Sequence, residues 1–210
     1  LERRKNLPRL VAAFASVAAA HPDVRLVLAG GEAGGRAGDR AAIDAAIDAL
    51  PPQTRARVLL TGYVDDPVRS WLLHHATVLA YPSLDEGFGF PLLDAMQAGV
   101  PIVAAARGSI PEVAGDAAVL IAPLDVDALS AALVDAIDDE AVRTRLRAAA
   151  PAQLARFGWD RAAAGLADPA MDWTFDDFKA AALKLSTDGN YGYAAQTFDE
   201  AGIEVLLVGD

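Results

Sequence analysis

Short apolar runs recur along the first 125 residues, and each has the length of a buried strand. The run over residues 24–30 is continuously apolar, which is typical of strands covered on both faces of a parallel sheet. Similar runs lie at residues 58–61, 77–81, 101–105 and 119–121. The pattern predicts a strand at each of these places.

Between the runs, apolar residues return at three- and four-residue spacing, which indicates amphipathic helices. Leu7, Leu10, Val11, Phe14 and Val17 form the clearest such series and predict a helix over residues 6–20. Further helices are predicted at residues 41–50, 68–75, 91–99, 125–137 and 139–157, the last with Pro151 as a possible kink. Strands and helices alternating in this way predict an α/β, Rossmann-like, doubly wound parallel sheet. Ligands of such sheets bind beyond the carboxyl ends of the strands.

Residues 81–101 carry the densest chemical signal. The strand ending at Tyr81 leads into a glycine-rich turn, and Pro91 follows at a position that suits the first turn of a helix. Strand, glycine loop and helix N-terminus together form a site suited to an anion. Two acids, Glu86 and Asp94, flank it, which favours a ligand that also offers hydroxyls. A phosphate joined to a sugar has both features.

The composition of the chain excludes several classes of binding partner and chemistry. The net charge of -11 argues against nucleic acid and anionic membranes as partners, and the absence of cysteine excludes disulfides and thiol chemistry. No apolar run reaches the length of a membrane span, and no signal peptide opens the sequence. We therefore expect a cytoplasmic protein. Because the sequence starts with Leu1 and quickly reaches three basic residues, we also expect a truncated N-terminus.

Two further features are interpreted as ordinary. His74 and His75 are adjacent, so a helix directs them to different sides and they are poorly placed to share one metal ion. The acidic pairs at residues 65–66 and 138–139 fall at turns and helix starts, where acidic caps are expected. Asp125 and Asp139 are likewise expected as the N-caps of the helices over residues 125–137 and 139–157.

Residues 30–38 contain five glycines without the dinucleotide fingerprint. They are either a mobile connection or a phosphate contact.

The stretch Glu86-Gly-Phe-Gly-Phe-Pro-Leu-Leu-Asp94 resembles the Glu-x7-Glu signature of retaining glycosyltransferases of the GT-B fold, family 4. Residues 4–7, 26–30, 61–64, 99–103 and 108–116 resemble that family's other motifs in order and spacing. The resemblance covers residues 1–167, which are assigned as the C-terminal, nucleotide-sugar-binding domain, one half of a GT-B fold. One departure is that Asp94 stands where the family has a second Glu.

The resemblance implies a role for each matching residue. Arg4 and Lys5 would neutralise the donor diphosphate. Glu86 would hold hydroxyls of the transferred sugar near an oxocarbenium-like transition state. Asp94, expected on the first turn of its helix, would take the ribose hydroxyls, and Val64 would meet the base through its backbone. The amides of the glycine loop would face the diphosphate, and these belong to Gly87, Phe88, Gly89 and Phe90.

The resemblance further implies hexosyl transfer, mannosyl being one option, from a GDP- or UDP-hexose with retention of configuration. It implies no cofactor and no metal. Enzymes of this kind carry the acceptor site on an N-terminal domain, which we expect to be missing here together with the strand before Leu1. Turnover by this chain alone is therefore not expected. We hypothesise that residues 203–208 fill the vacant place of that strand near the centre of the sheet.

From residue 168 onward the pattern changes. Residues 173–178 match a capping box that opens a helix to Leu185, and residues 187–193 a turn into a strand. This segment resembles a fragment of the sugar-binding proteins of ABC importers; a divergent end of the transferase is the other interpretation. Three alternatives to the donor domain are considered: an importer's carbohydrate-binding protein, a folded chimera without activity, and a nucleotide-sugar epimerase. The last would need a carboxylate and histidine constellation that the sequence does not supply.

Overall fold

The computed structural model describes residues 3–31, 37–157 and 204–208. The helices in these ranges are α1 (Leu7–Ala20), α2 (Ala37–Asp48), α3 (Pro52–Arg55), α4 (Asp66–His75), α5 (Phe90–Gln97), α6 (Ile110–Ala114), α7 (Val126–Asp138) and α8 (Glu140–Leu154). The strands are β1 (Arg25–Ala29), β2 (Val58–Gly62), β3 (Val78–Tyr81), β4 (Ile102–Ala105), β5 (Ala118–Ile121) and β6 (Glu204–Val208). Short 3-10 helices span Arg3–Lys5 and Gly115–Ala117.

These strands form one sheet in the order β2-β1-β6-β3-β4-β5. Strand β1 is parallel to β2, and β3, β4 and β5 are parallel to one another. Strand β6 is antiparallel to both of its neighbours, β1 and β3. All strands except β6 therefore run in one direction, and their carboxyl ends meet at one edge, where ligands of such sheets bind. The predicted α/β, Rossmann-like architecture is confirmed.

Helices cover both faces of the sheet. Successive strand residues point to opposite faces, so Leu26 and Leu28 pack with α1, α2 and α7, whereas Val27 and Ala29 pack with α4, α5, α6 and α8. Phe14 of α1 is completely buried in the first of these cores. Burial on both faces explains why the inner strands read as continuous apolar runs instead of alternating ones.

The centre of the sheet is occupied by the last described segment of the chain. Leu206 pairs with Val27 of β1 and with Leu79 of β3. The hypothesis that residues 203–208 lie near the centre of the sheet is thus confirmed for residues 204–208, the part of this segment that the structure describes. Their antiparallel direction was not predicted. An antiparallel strand satisfies the facing rows of N–H and C=O groups as well as a parallel one, so backbone pairing permits either direction.

Several element boundaries differ from the sequence-based predictions. Helices α3 and α6 were not predicted, because four or five residues are too few to show a helical period. Helix α2 begins at Ala37 instead of residue 41, and α8 ends at Leu154 instead of residue 157, with Pro151 inside it. Most of the glycine-rich connection (residues 32–36) and most of the segment compared with importer proteins lie outside the described residues.

We predict that the amides of β6 exchange with deuterium as slowly as those of β1, because a strand bonded on both sides opens only when the sheet unfolds. A variant ending at residue 203 should lose its cooperative melt, since β1 and β3 would be left without a partner between them. Amide exchange by NMR and thermal denaturation measure these effects. Fast exchange of β6, or an unchanged melt of the shortened variant, would show that the strand is dispensable.

Candidate functional site

The first 3-10 helix lies against the loop that follows β3, at the carboxyl edge of the sheet. The Leu84 amide donates to the Arg4 carbonyl at 2.6 Å. Asn6 fixes the next turn, since its Nδ2 donates to the carbonyls of Pro82 (3.1 Å) and Pro123 (2.9 Å). Asn6 is buried and has a φ of 57°, a left-handed conformation that asparagine tolerates better than most residues.

This turn brings two cations onto one carboxylate. Lys5 Nζ lies 2.7 Å from Glu86 Oε1, and Arg4 Nη1 lies 2.7 Å from Glu86 Oε2. The Glu86 side chain is only 3% exposed, and Lys5 is also buried. The Lys5 ammonium lies 5.2 Å from the centre of the Tyr81 ring, close enough for a cation–π contact. Three of the predicted site residues, Arg4, Lys5 and Glu86, thus form one cluster.

The charge of Glu86 is set by two opposing effects. Burial raises the pKa of Glu86, but the nearby Lys5 ammonium, hydrogen bonds from Lys5 and Ser83, and the Arg4 guanidinium outweigh it. The pKa of Glu86 therefore lies below its usual value, and the carboxylate is ionised at neutral pH. Two cations therefore neutralise the acid that stands next to the glycine loop.

The glycine loop after Glu86 is held in place by the loop between β4 and α6. Ser109 Oγ donates to the carbonyls of Glu86 (3.1 Å) and Phe88 (3.0 Å). Gly108 has a φ of 57°, and a Cβ atom there would lie 3.4 Å from the Glu86 backbone. The β4–α6 loop therefore packs closely on the loop that carries Glu86. Neither residue was assigned a role from sequence, although both lie in a stretch that matched a family motif.

The loop ends at Gly89, the N-cap residue of α5, with a φ of 97°. That value lies in the left-handed region, where glycine pays no Cβ penalty. Phe88 packs edge-on against Phe157, with ring centres 5.5 Å apart, whereas the neighbouring Phe90 is 51% exposed. Gly87 is exposed as well. The loop thus presents its backbone at the carboxyl edge while Phe88 anchors it to the core.

Asp94 lies in a different ionic cluster from Glu86. It is the fifth residue of α5, so its predicted place on the first helical turn was wrong; the helix begins at Phe90, before Pro91. Its Oδ2 accepts a hydrogen bond of 2.8 Å from Arg69 Nη1 of α4. Both side chains line a depression of about 240 Å³ between α4 and α5.

Val64 lies just before α4 and is partly buried against the core on that face. The adjacent Asp65 is the N-cap of α4 and accepts from the Val68 amide at 3.0 Å, as expected for an acid at a helix start. The acid at the start of α8, Asp139, also acts as a cap. Val64 and Asp94 are therefore associated with the N-terminal part of α4, and Arg4, Lys5 and Glu86 with the loop after β3.

Within residues 3–31, 37–157 and 204–208, no three His, Asp or Glu side chains are grouped so that they could hold a metal ion. In the same part of the chain, no helix has the length and hydropathy needed to cross a membrane. The cluster offers two cations, a glycine loop at a helix N-terminus, and an ionised carboxylate. Such groups can bind a phosphorylated ligand and accept hydrogen bonds from hydroxyls.

Comparison with known proteins shows that this Rossmann-like sheet is a glycosyltransferase domain of the GT-B type. The profile of the family described as glycosyl transferases group 1 matches residues 1–153. The chain belongs to this family.

Relatives of known activity include two mannosyltransferases. O-antigen chain mannosyltransferase B of Escherichia coli is 42% identical over 99 residues, 47% of this chain and 26% of that protein. Phosphatidyl-myo-inositol mannosyltransferase of Mycolicibacterium smegmatis is 28% identical over 208 residues, 97% of this chain and 49% of that protein. Among solved structures, Anabaena HepE in complex with UDP-glucose matches with a TM-score of 0.62 at 23% identity, over 73% of this chain and 42% of that one. The chain spans half the length of these proteins or less.

We predict that Glu86→Gln lowers the free energy of unfolding at pH 7 by about 3 kcal/mol, because it removes one partner of a buried ion pair. The pKa of Glu86 is lower in the folded state, so its stabilisation is complete above the unfolded value of about 4.3 and is lost as pH falls further. The difference in unfolding free energy between wild type and Glu86→Gln should therefore disappear at acidic pH. Urea denaturation at several pH values measures it.

Glu140→Gln is the matched control. The hydrogen bond from Arg143 and its charge also lower the pKa of Glu140, but this glutamate is exposed. Its replacement should change stability little, because solvent screens surface pairs. Equal effects of the two variants, or a loss of stability in Glu86→Gln that does not vary with pH, would contradict the assignment of Glu86 as a buried, ionised carboxylate.

Proposed function

We propose that this chain binds a nucleotide diphosphosugar and forms the donor half of a glycosyltransferase that transfers a hexose. The observation that supports this most directly is the buried Glu86 between Lys5 and Arg4, with both contacts at 2.7 Å, beside a glycine loop at the carboxyl edge of the sheet. A donor of this kind has a diphosphate for the cations and hydroxyls for the carboxylate.

In this proposal Lys5 and Arg4 bind the diphosphate and meet the charge that grows on it as the sugar leaves. An ammonium is a point charge, whereas a guanidinium can contact two oxygens at once. The backbone amides of Gly87 to Phe90 add neutral donors next to the dipole of α5. These groups supply positive potential at the leaving group, so we propose departure without a metal ion.

Glu86 is proposed to bind hydroxyls of the transferred hexose. Because its pKa is lowered, the carboxylate is ionised and can accept hydrogen bonds only. Its negative charge would also favour an oxocarbenium-like transition state next to it. Ser109 and Gly108 act through the backbone of Glu86 and are proposed as positioning residues.

The nucleoside is proposed to lie towards α4, with the base near the backbone of Val64 and the ribose hydroxyls near Asp94. The ion pair between Asp94 and Arg69 supports this proposal, because it holds a carboxylate between α4 and α5. Aspartate is shorter than the second glutamate of the family signature, so Asp94 can reach the ribose only if the ribose lies close to α5.

The mannosyltransferase relatives support mannose as the transferred hexose, and UDP-glucose bound to HepE supports a nucleotide sugar as donor. Retention of configuration is proposed because the spacing of Glu86 and Asp94 resembles that of retaining enzymes. Since the matched regions cover no more than half of either mannosyltransferase, only the donor half of the reaction is assigned to this chain.

We predict that a nucleotide sugar raises the melting temperature of the protein. Ligand at one hundred times its Kd should add about 2.7 kcal/mol of stability. Lys5→Met should weaken this binding by about tenfold or more, because it removes a charge-assisted contact to phosphate. Thermal-shift titrations with GDP-mannose, UDP-glucose and an ADP-hexose identify the donor. A stable fold that no nucleotide sugar shifts would refute the proposal.

Arg3→Gln is the control for Lys5→Met, because Arg3 lies exposed on the same 3-10 helix and loses the same charge. Its effect on affinity should be small. If the two variants weaken binding equally, the overall positive charge of the N-terminal segment attracts the donor, and a direct contact with Lys5 is not required.

We also predict that Ser109→Ala weakens donor binding several-fold and lowers stability by about 1 kcal/mol, since two backbone carbonyls lose their donor. Ser130→Ala is matched to it: Ser130 Oγ also donates to two carbonyls, those of Ala13 and Val126, but lies on α7. It should cost similar stability with no change in donor affinity. Equal affinities of the two variants would show that Ser109 is only structural.

A further inference from the structure

The cations proposed to bind the diphosphate already have a partner in this structure. Lys5 and Arg4 contact different oxygens of Glu86, so both oxygens of the carboxylate are engaged. A diphosphate that approaches these cations meets Glu86 as its competitor. One side chain and one ligand group therefore compete for the same two positive charges.

A buried carboxylate that loses its cations needs other hydrogen-bond donors. Only 3% of the Glu86 side chain is exposed while the cations are in place, so leaving the carboxylate without them and without other donors would be costly. The hydroxyls of a hexose are suitable donors, whereas the terminal phosphate of a nucleoside diphosphate offers mainly acceptors. That phosphate is also more negative than one esterified by a sugar, because its second proton dissociates at about pH 6.

We propose that Glu86 makes the site select nucleotide sugars over nucleoside diphosphates, because only a bound sugar can replace the cations on its carboxylate. This inference rests on the donor site proposed above. When a nucleotide sugar enters, the diphosphate takes Arg4 and Lys5 and the hexose hydroxyls take Glu86. After transfer the hydroxyls leave with the acceptor, Glu86 regains its cations, and the nucleoside diphosphate is expelled.

The test is calorimetric titration of wild type, Glu86→Gln and Asp85→Asn with UDP, GDP, UDP-glucose and GDP-mannose. Glutamine keeps the shape of Glu86 but removes the competing charge. Glu86→Gln should bind nucleoside diphosphates about tenfold more tightly than wild type does, within the usual range of couplings between sites. Its affinity for nucleotide sugars should be unchanged or lower.

Asp85→Asn removes one negative charge from the adjacent, exposed position and should affect both ligand classes equally and weakly. The selection is refuted if Glu86→Gln changes the affinity for both ligand classes by the same factor. It is also refuted if Glu86→Gln strengthens nucleoside diphosphate binding no more than Asp85→Asn does. If wild type binds neither class, the donor site itself is refuted. If wild type binds nucleotide sugars and the variant leaves the ratio unchanged, only the selection fails.

A second measurement needs no substitution and decides the matter if Glu86→Gln does not fold. Wild type is titrated with the nucleoside diphosphate of its preferred donor, with and without a saturating concentration of the matching free hexose. The hexose should tighten nucleoside diphosphate binding by several-fold, because its hydroxyls release the cations from Glu86. Independent binding of the two ligands would overturn the proposal.

Discussion

Burying one carboxylate is the constraint from which the rest of this site follows. An ionised Glu86 inside the protein requires compensating charge, and Lys5 and Arg4 provide it from a segment 81 and 82 positions away in the sequence. The ion pairs also join the N-terminal turn to the loop after β3. Local structure, loop position and the electrostatics of the site thus depend on the same two contacts.

The sheet determines where this constraint can be met. Five strands run in one direction, so the loops after β1, β2, β3 and β4 all emerge at one edge. Strand β6 completes the hydrogen bonding between β1 and β3 and so keeps the two halves of that edge together. The site is therefore assembled by the topology, and each of its loops contributes from a different part of the chain.

The supporting residues show how a loop rich in glycine is held in one conformation. Asn6 ties the N-terminal turn to the carbonyls of Pro82 and Pro123, and Ser109 ties the glycine loop to the start of α6. Each satisfies backbone carbonyls that are buried or partly buried and would be costly to leave without a donor. Gly108 allows the two loops to approach closely. Several elements together therefore determine the position of Glu86.

The sequence by itself determined the α/β class, most of the strands, the caps Asp125 and Asp139, and the family, because period and local motifs depend on neighbouring residues. It also placed Glu86, Lys5 and Arg4 among the candidates. Only the tertiary structure decided that these three neutralise one another, that Asp94 pairs with Arg69 on the second turn of α5, and that β6 runs antiparallel. Such features depend on distance and direction between segments far apart in the chain, and no local pattern encodes these.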